Sequence, residues 1–188
     1  MTCIVSVVKD GVVYIGGDSA GVSGLSITIR ADEKVFHNNQ FIIGFTSSFR
    51  MGQLLRYKFV PPKQKLKQSD MEYMVTDFVD SLRKTFKDNG FGKIQDSSDN
   101  VGGNFLIGYK SKLYNLQSDF QVGAPSLEYD SVGCGANIAL GSLYSSKDKD
   151  PIERINLALE AAATFNAGVV APFHIVKLEP PASKKRAR

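Results

Sequence analysis

Two near-continuous apolar runs, residues 3–8 and 12–18, are split only by Lys-Asp-Gly, and they constrain the fold of this chain more than any other feature. A strand with alternating polarity can leave one face to water. One that is apolar at almost every position must be covered on both faces. Asp10-Gly11 between the runs supplies a strong signal for a tight hairpin. The chain therefore opens with a hairpin that has to be enclosed between other layers.

The remaining elements supply those layers. Ser26–Ile29 and residues 34–37 read as a second, shorter strand pair, and Phe41–Phe45 as a further strand. Ser47 or Ser48 can cap a helix that buries Met51, Leu54 and Leu55, ended by Pro61 and Pro62. Ser69 and Glu72 form a capping box. After it Met71, Met74, Val75, Phe78, Val79, Leu82 and Phe86 recur at helical spacing up to Gly90. Strands return at 104–109, Lys112–Leu116 and 129–132, followed by the glycine-led helix start GCGANIALGSLYSS. Asp150-Pro151 with Glu153 opens a last long helix that runs to about Phe165. GVVAPFHIVKL closes the chain as a strand, with Pro172 suited to an edge or bulge. Strands, two helices, strands, two helices and a strand predict an α+β protein. Its arrangement is a four-layer αββα sandwich over residues 1–178, with two helical layers enclosing two sheets.

Charge and composition narrow the function classes. The net charge of +4 comes from 23 basic and 19 acidic residues, and four of the basic ones, Lys184, Lys185, Arg186 and Arg188, lie in the last five positions. Without them the charges balance, so the basic character belongs to a tail, 179–188, predicted to be disordered after Pro180 and Pro181. Nucleic acid is therefore an unlikely partner. The two cysteines, Cys3 and Cys134, give no disulfide framework, and His37 and His174 lack partners at ligand spacing, so no metal or other cofactor is expected. No apolar run is long enough to cross a bilayer and no signal peptide is visible, which predicts a soluble cytoplasmic protein without a membrane partner.

Thr2 stands directly before the first apolar run. If Met1 is removed, Thr2 carries a hydroxyl and a free α-amine on one residue. Such an amine titrates near ~8, low enough to serve as a base for its own hydroxyl. A neighbouring cation lowers that value further, and a carboxylate is needed to hold the cation. Asp18 at the end of the second strand and Lys34 at the start of a later one are the candidates. Each can equally be a polar residue that marks a strand end.

MTCIVSVVKDGVVYIGGDSAG together with EKVF resembles the start of proteasome β-type subunits and the bacterial HslV peptidase, N-terminal-nucleophile hydrolases. The resemblance implies that Thr2 is the nucleophile, Lys34 the cation and Asp18 its partner. FIIGFTSS resembles the segment whose backbone N–H helps form the oxyanion hole, which points to Ser48. GCGANIALG resembles the Gly-Ser-Gly helix start, which puts Cys134 where the family has a supporting serine. FNAGVVAPFHIVKL is similar to the closing Ser-Gly-Gly strand, with Asn166 at the serine position. The similarity runs from Thr2 to about Lys177. Departures are Ser48 for glycine, Cys134 and Asn166 for serine, and Ala163 where proteasome subunits carry a second aspartate.

The resemblance implies a threonine endopeptidase acting on a peptide or unfolded protein. It also implies a homo-oligomeric ring that hides the sites and an ATP-dependent unfoldase as a possible partner. Two other readings keep the fold: an inactive structural or assembly protein, and a small-molecule amidohydrolase with the same nucleophile.

Overall fold

The computed structural model describes residues 1–91, 93–95, 98–100 and 102–181, with the backbone only for 93–95 and 98–100. The basic end of the expected tail lies outside the described residues. β1 (Cys3–Lys9) and β2 (Val12–Gly17) form the predicted hairpin, with Asp10 and Gly11 both at positive φ in its turn. β3 (Ala20–Ser23) and β4 (Ser26–Ile29) form a small hairpin of their own. β5 (Val35–Asn38) and β6 (Phe41–Phe45) follow, then α1 (Phe49–Tyr57). α2 (Asp70–Tyr73), a π-helical stretch (Met74–Phe78) and α3 (Val79–Asp88) run on from one another. β7 (Lys93–Gln95) pairs with β8 (Ser98–Asn100). Then come β9 (Phe105–Tyr109), β10 (Lys112–Leu116), β11 (Val122–Gly123) and β12 (Tyr129–Gly133). α4 (Ala136–Ser145), α5 (Pro151–Phe165) and β13 (His174–Leu178) complete the chain.

The larger strands make two antiparallel sheets, ordered β12–β1–β2–β13 and β11–β10–β9–β6–β5. Period-two side-chain alternation then divides each central strand between two interfaces. Along β1, Cys3, Val5 and Val7 face Ala139, Leu143, Ile155 and Leu159 of α4 and α5. Ile4, between them, packs with Ile15, Val35, Ile42 and Leu106 in the space between the sheets. On β6 and β9, Phe41, Ile43, Phe45, Phe105, Ile107 and Tyr109 turn the other way, onto α1 and the α2–α3 helix. Three apolar clusters thus separate helix, sheet, sheet and helix, as the doubly apolar opening hairpin requires.

Two details differ from the sequence-based expectation. Ser26–Ile29 does not pair with the strand beginning near residue 34. β4 pairs with β3 and β5 with β6, in different sheets, because Asp18 and Ser19 end β2 early and let Ala20–Ser23 fold back on β4. The helix after Ser69 has the predicted capping box, but Met71 and Val75 are exposed and Tyr73 is buried instead. The π-helical stretch inserts one extra residue into the helix and shifts its face, so that Tyr73 joins Met74 on the buried side.

Candidate active site

The end of β2 and the start of β1 meet at one buried carboxylate. Asp18 Oδ1 accepts from Cys3 N and from Lys34 Nζ, both at 2.9 Å. Asp18 Oδ2 accepts from Ala20 N at 2.9 Å and from Val170 N at 3.4 Å. Lys34 and Asp18 are both fully buried. Burial pulls the Lys34 ammonium below its ordinary value, while the charge of Asp18 and the bond to it push the other way. Lys34 Nζ also lies 5.7 Å from the centre of the Phe49 ring, at the start of α1. Because Lys34 and the Cys3 amide share one oxygen, the ammonium is no further from the residue-3 backbone than twice that bond length.

Thr2 therefore begins a strand whose next amide is pinned beside a cation. Thr2 N donates to Cys134 Sγ at 3.2 Å, and Thr2 Oγ1 donates to Met1 O. With Met1 attached, that nitrogen is an amide with no basic lone pair. Met1 lies against Gly168, where an added Cβ would fall 2.3 Å from Met1 Cβ. Gly133, paired with Cys3 across the sheet, holds φ +103°, and a Cβ there would fall 2.2 Å from Thr2 O. Only glycine lets the Thr2 backbone come so close.

Cys134 joins the other predicted residue. Its Sγ reaches Thr2 O at 3.3 Å and Asn166 Oδ1 at 3.2 Å. A thiol has one proton, so it serves these acceptors one at a time. Asn166 Nδ2 donates to Cys134 O at 2.9 Å, and Asn166 Oδ1 accepts from Gly168 N at 2.9 Å. Cys3 points the opposite way, as alternation requires, into the α4–α5 layer next to Ser131 Oγ. Burial pushes its thiol up to about 12, which removes it as a rival nucleophile.

Thr2 opens onto a pocket of about 590 Å³ whose wall includes Thr46, Ser47, Gly103, Ser118 and Cys134. Ser48, expected to offer its amide there, is used differently. Ser47 takes φ +68°, so the Ser48 N–H turns back to Thr46 O at 2.9 Å, and its hydroxyl caps α1 by accepting from Met51 N. Ser47 rather than Ser48 lines the pocket. Thr46, which the sequence did not single out, closes the wall through its backbone and hydroxyl bonds to the Asn104 backbone. The structure thus brings Thr2, Asp18, Lys34, Cys134 and Asn166 into one connected site, with Ser48 one residue off its wall. Among the described residues no group of His, Cys, Asp or Glu could hold a metal ion.

No family model and no curated protein matches the sequence. Solved structures do match. BPH from Thiobacillus denitrificans, solved alone and in complex with epoxomicin, superposes with TM-scores of 0.80 and 0.79 at 20% and 19% identity, over 96% of this chain and 100% of that one. HslV from Trypanosoma brucei gives 0.67 at 16% identity over 95% and 99% of the two chains. Anbu, the ancestral β-subunit, from Yersinia bercovieri gives 0.65 at 13% identity over 95% and 82%. The chain has the HslV and proteasome β-type fold. The α+β class read from the order of elements is that of this fold. Among the described residues no helix is long and apolar enough to cross a membrane.

Proposed function

We propose that the chain is a threonine-type peptidase whose nucleophile is Thr2 once Met1 has been removed. The observation that carries this reading is the shared Asp18 oxygen, which couples a buried ammonium to the strand end that bears Thr2. Thr2 Oγ attacks the scissile carbonyl carbon and its proton passes to the α-amine, directly or through water. The peptide C–N bond breaks, the leaving amine takes that proton, and an ester on Thr2 remains. Water then attacks the ester, releasing the acid and restoring the hydroxyl. Lys34 lowers the basicity of the α-amine and Asp18 holds Lys34 in place.

Cys134 Sγ and Asn166 orient the freed amine. The oxyanion falls to amides of the turn at Ser47 and Ser48; the Ser48 amide must leave Thr46 O to take part. Such preorganised donors typically contribute a factor of ~100 or more.

The same reading makes the substrate a peptide or unfolded protein and the setting the cytoplasm. It also makes the assembly a homo-oligomeric ring with an ATP-dependent unfoldase as possible partner. The fold shared with HslV and the proteasome β-type proteins supports these extensions.

Epoxomicin tests the chemistry. An epoxyketone needs a hydroxyl to attack its ketone and a free amine to open its epoxide, so it reports on both groups of a mature Thr2. Intact mass and peptide mapping should place the adduct on a peptide that begins at Thr2, and Thr2→Ala should abolish it. Labelling at Cys134, or none in protein wholly freed of Met1, would end the proposal.

A further inference from the structure

Residues 57–68, YKFVPPKQKLKQ, contain four lysines and no carboxylate. Three of their large apolar side chains face water: Leu66 is 97% exposed, Tyr57 74% and Val60 71%. Exposed apolar groups interspersed with one sign of charge along a short segment have the composition of a docking surface.

The segment is held rigidly in spite of its exposure. Phe59 is buried, and Asn38 Nδ2 donates to its carbonyl at 3.0 Å. Tyr73 Oη donates to Pro62 O at 2.6 Å. Gln64 Nε2 donates to Gln68 O at 2.8 Å, and Gln68 Oε1 accepts from Lys65 N at 3.2 Å, two bonds that span Leu66 in the sequence. Pro61 and Pro62 further restrict the chain. A loop that served only as a connection would not need so many bonds; a loop fixed in one shape lowers the ordering cost of binding.

The charges are distributed to match. Asp70 and Asp77 stand behind the loop and are already engaged. Asp70 takes Lys112 and Lys110, and Asp77 takes Lys65 and Gln68. Among the described residues neither Lys63 nor Lys67, on either side of Leu66, has an ion pair or hydrogen bond, and both are exposed. The cations beside the apolar tip are left without partners.

We infer that this loop is a docking element for another protein, one that offers an apolar socket rimmed by carboxylates. Leu66 enters the socket while Lys63 and Lys67 meet the rim. The fixed shape favours a protein over a lipid surface, which adapts to any shape. The apolar tip argues against a nucleic acid, because Leu66, 97% exposed, offers a phosphate backbone neither charge nor hydrogen bond. The inference does not depend on the peptidase reading, since the loop shares no residue with the site.

The test uses the full chain and a fluorescein-labelled short peptide that alternates glutamate with leucine and phenylalanine, with binding read by fluorescence anisotropy. Saturable binding is expected. It should weaken by about tenfold or more in Leu66→Ser and again in Lys63→Glu with Lys67→Glu, and fall as salt rises. A lysine-for-glutamate version of the peptide should not bind. Epoxomicin labelling in the same variants should be unchanged, which separates this surface from the site. Equal binding of the acidic peptide to wild type and variants would overturn the inference. So would Leu66-dependent binding to phosphatidylserine vesicles without peptide binding, or Leu66-dependent self-association in light scattering. The first of these would assign the loop to membranes and the second to a second copy of this chain.

Discussion

Lys34→Met separates catalysis from stability more cleanly than any other change at the site. The substitution removes the charge and keeps most of the volume. Asp18 then retains three backbone donors, Cys3 and Ala20 at 2.9 Å and Val170 at 3.4 Å. Those three amides continue to donate to both carboxyl oxygens, so the buried side chain is not left without hydrogen-bond partners. A stability loss of about 1–3 kcal/mol is expected, the scale for a charged hydrogen bond, against about 3–5 kcal/mol when a buried ion loses its only counterion. Asp18→Ala is the contrasting variant, because it strands the ammonium and leaves three amides without an acceptor. Catalysis should respond much more strongly than stability. Taking ~6 Å as the scale of the separation, a unit charge at an effective dielectric of ~20 contributes about 3 kcal/mol, or about two pH units on the Thr2 amine. Removing Lys34 should therefore raise the basicity of the amine by about that much and leave it mostly protonated at neutral pH. The expected result is a fall in peptide hydrolysis of about tenfold at pH 7 with recovery at higher pH, while the thermal melt stays cooperative. Wild-type hydrolysis at pH 7, or a pH profile that does not move, would refute the reasoning about the amine.

Two further outcomes follow from the geometry. Gly168→Ala should destabilise protein that retains Met1 by about 1–3 kcal/mol more than protein that has lost it, since the three atoms nearest the added Cβ, the first at 2.3 Å, all belong to Met1; melts of the two forms, separated by intact mass, check this. The Asp70 carboxyl sits below its ordinary 3.8: burial raises it, but bonds to Lys112, Gln64 and Lys110 together lower it more. Its folded value lies below its unfolded one, so its stabilising contribution is complete above 3.8 and is lost as pH falls through the lower folded value. Hydrogen exchange in residues 63–70 should accelerate in that acid window, before the protein as a whole unfolds.

What the sequence made legible follows from side-chain chemistry, and what it hid follows from the backbone. The opening hairpin was readable because two-sided burial leaves a composition, apolar at every position, that few other settings produce. Asp18 and Lys34 were readable as polar residues where apolar strands begin or end. Their partnership was not, since sequence spacing does not say which strand ends meet. Three of the four donors to Asp18 are backbone amides, of Cys3, Ala20 and Val170, and an amide has no letter in the sequence. The same blindness explains Ser48. The position of the turn was correct, but a positive φ at Ser47, a residue type with no strong preference for it, decides which amide faces the pocket. The π-helical stretch after Tyr73 is another backbone decision, and it moved Met71 and Val75 out of the stripe that their spacing indicated. Cys134 and Asn166 show the converse. As single letters they look like departures from a serine pattern, yet in space they bond to each other, and Cys134 bonds to Thr2, so the two belong to one network. Reverting Cys134 alone to serine therefore tests coupling rather than repair: a double-mutant cycle with Asn166→Ser should give a non-additive loss of epoxomicin labelling rate. Additive effects would mean that the two side chains act independently and that their contact does not help to position the amine.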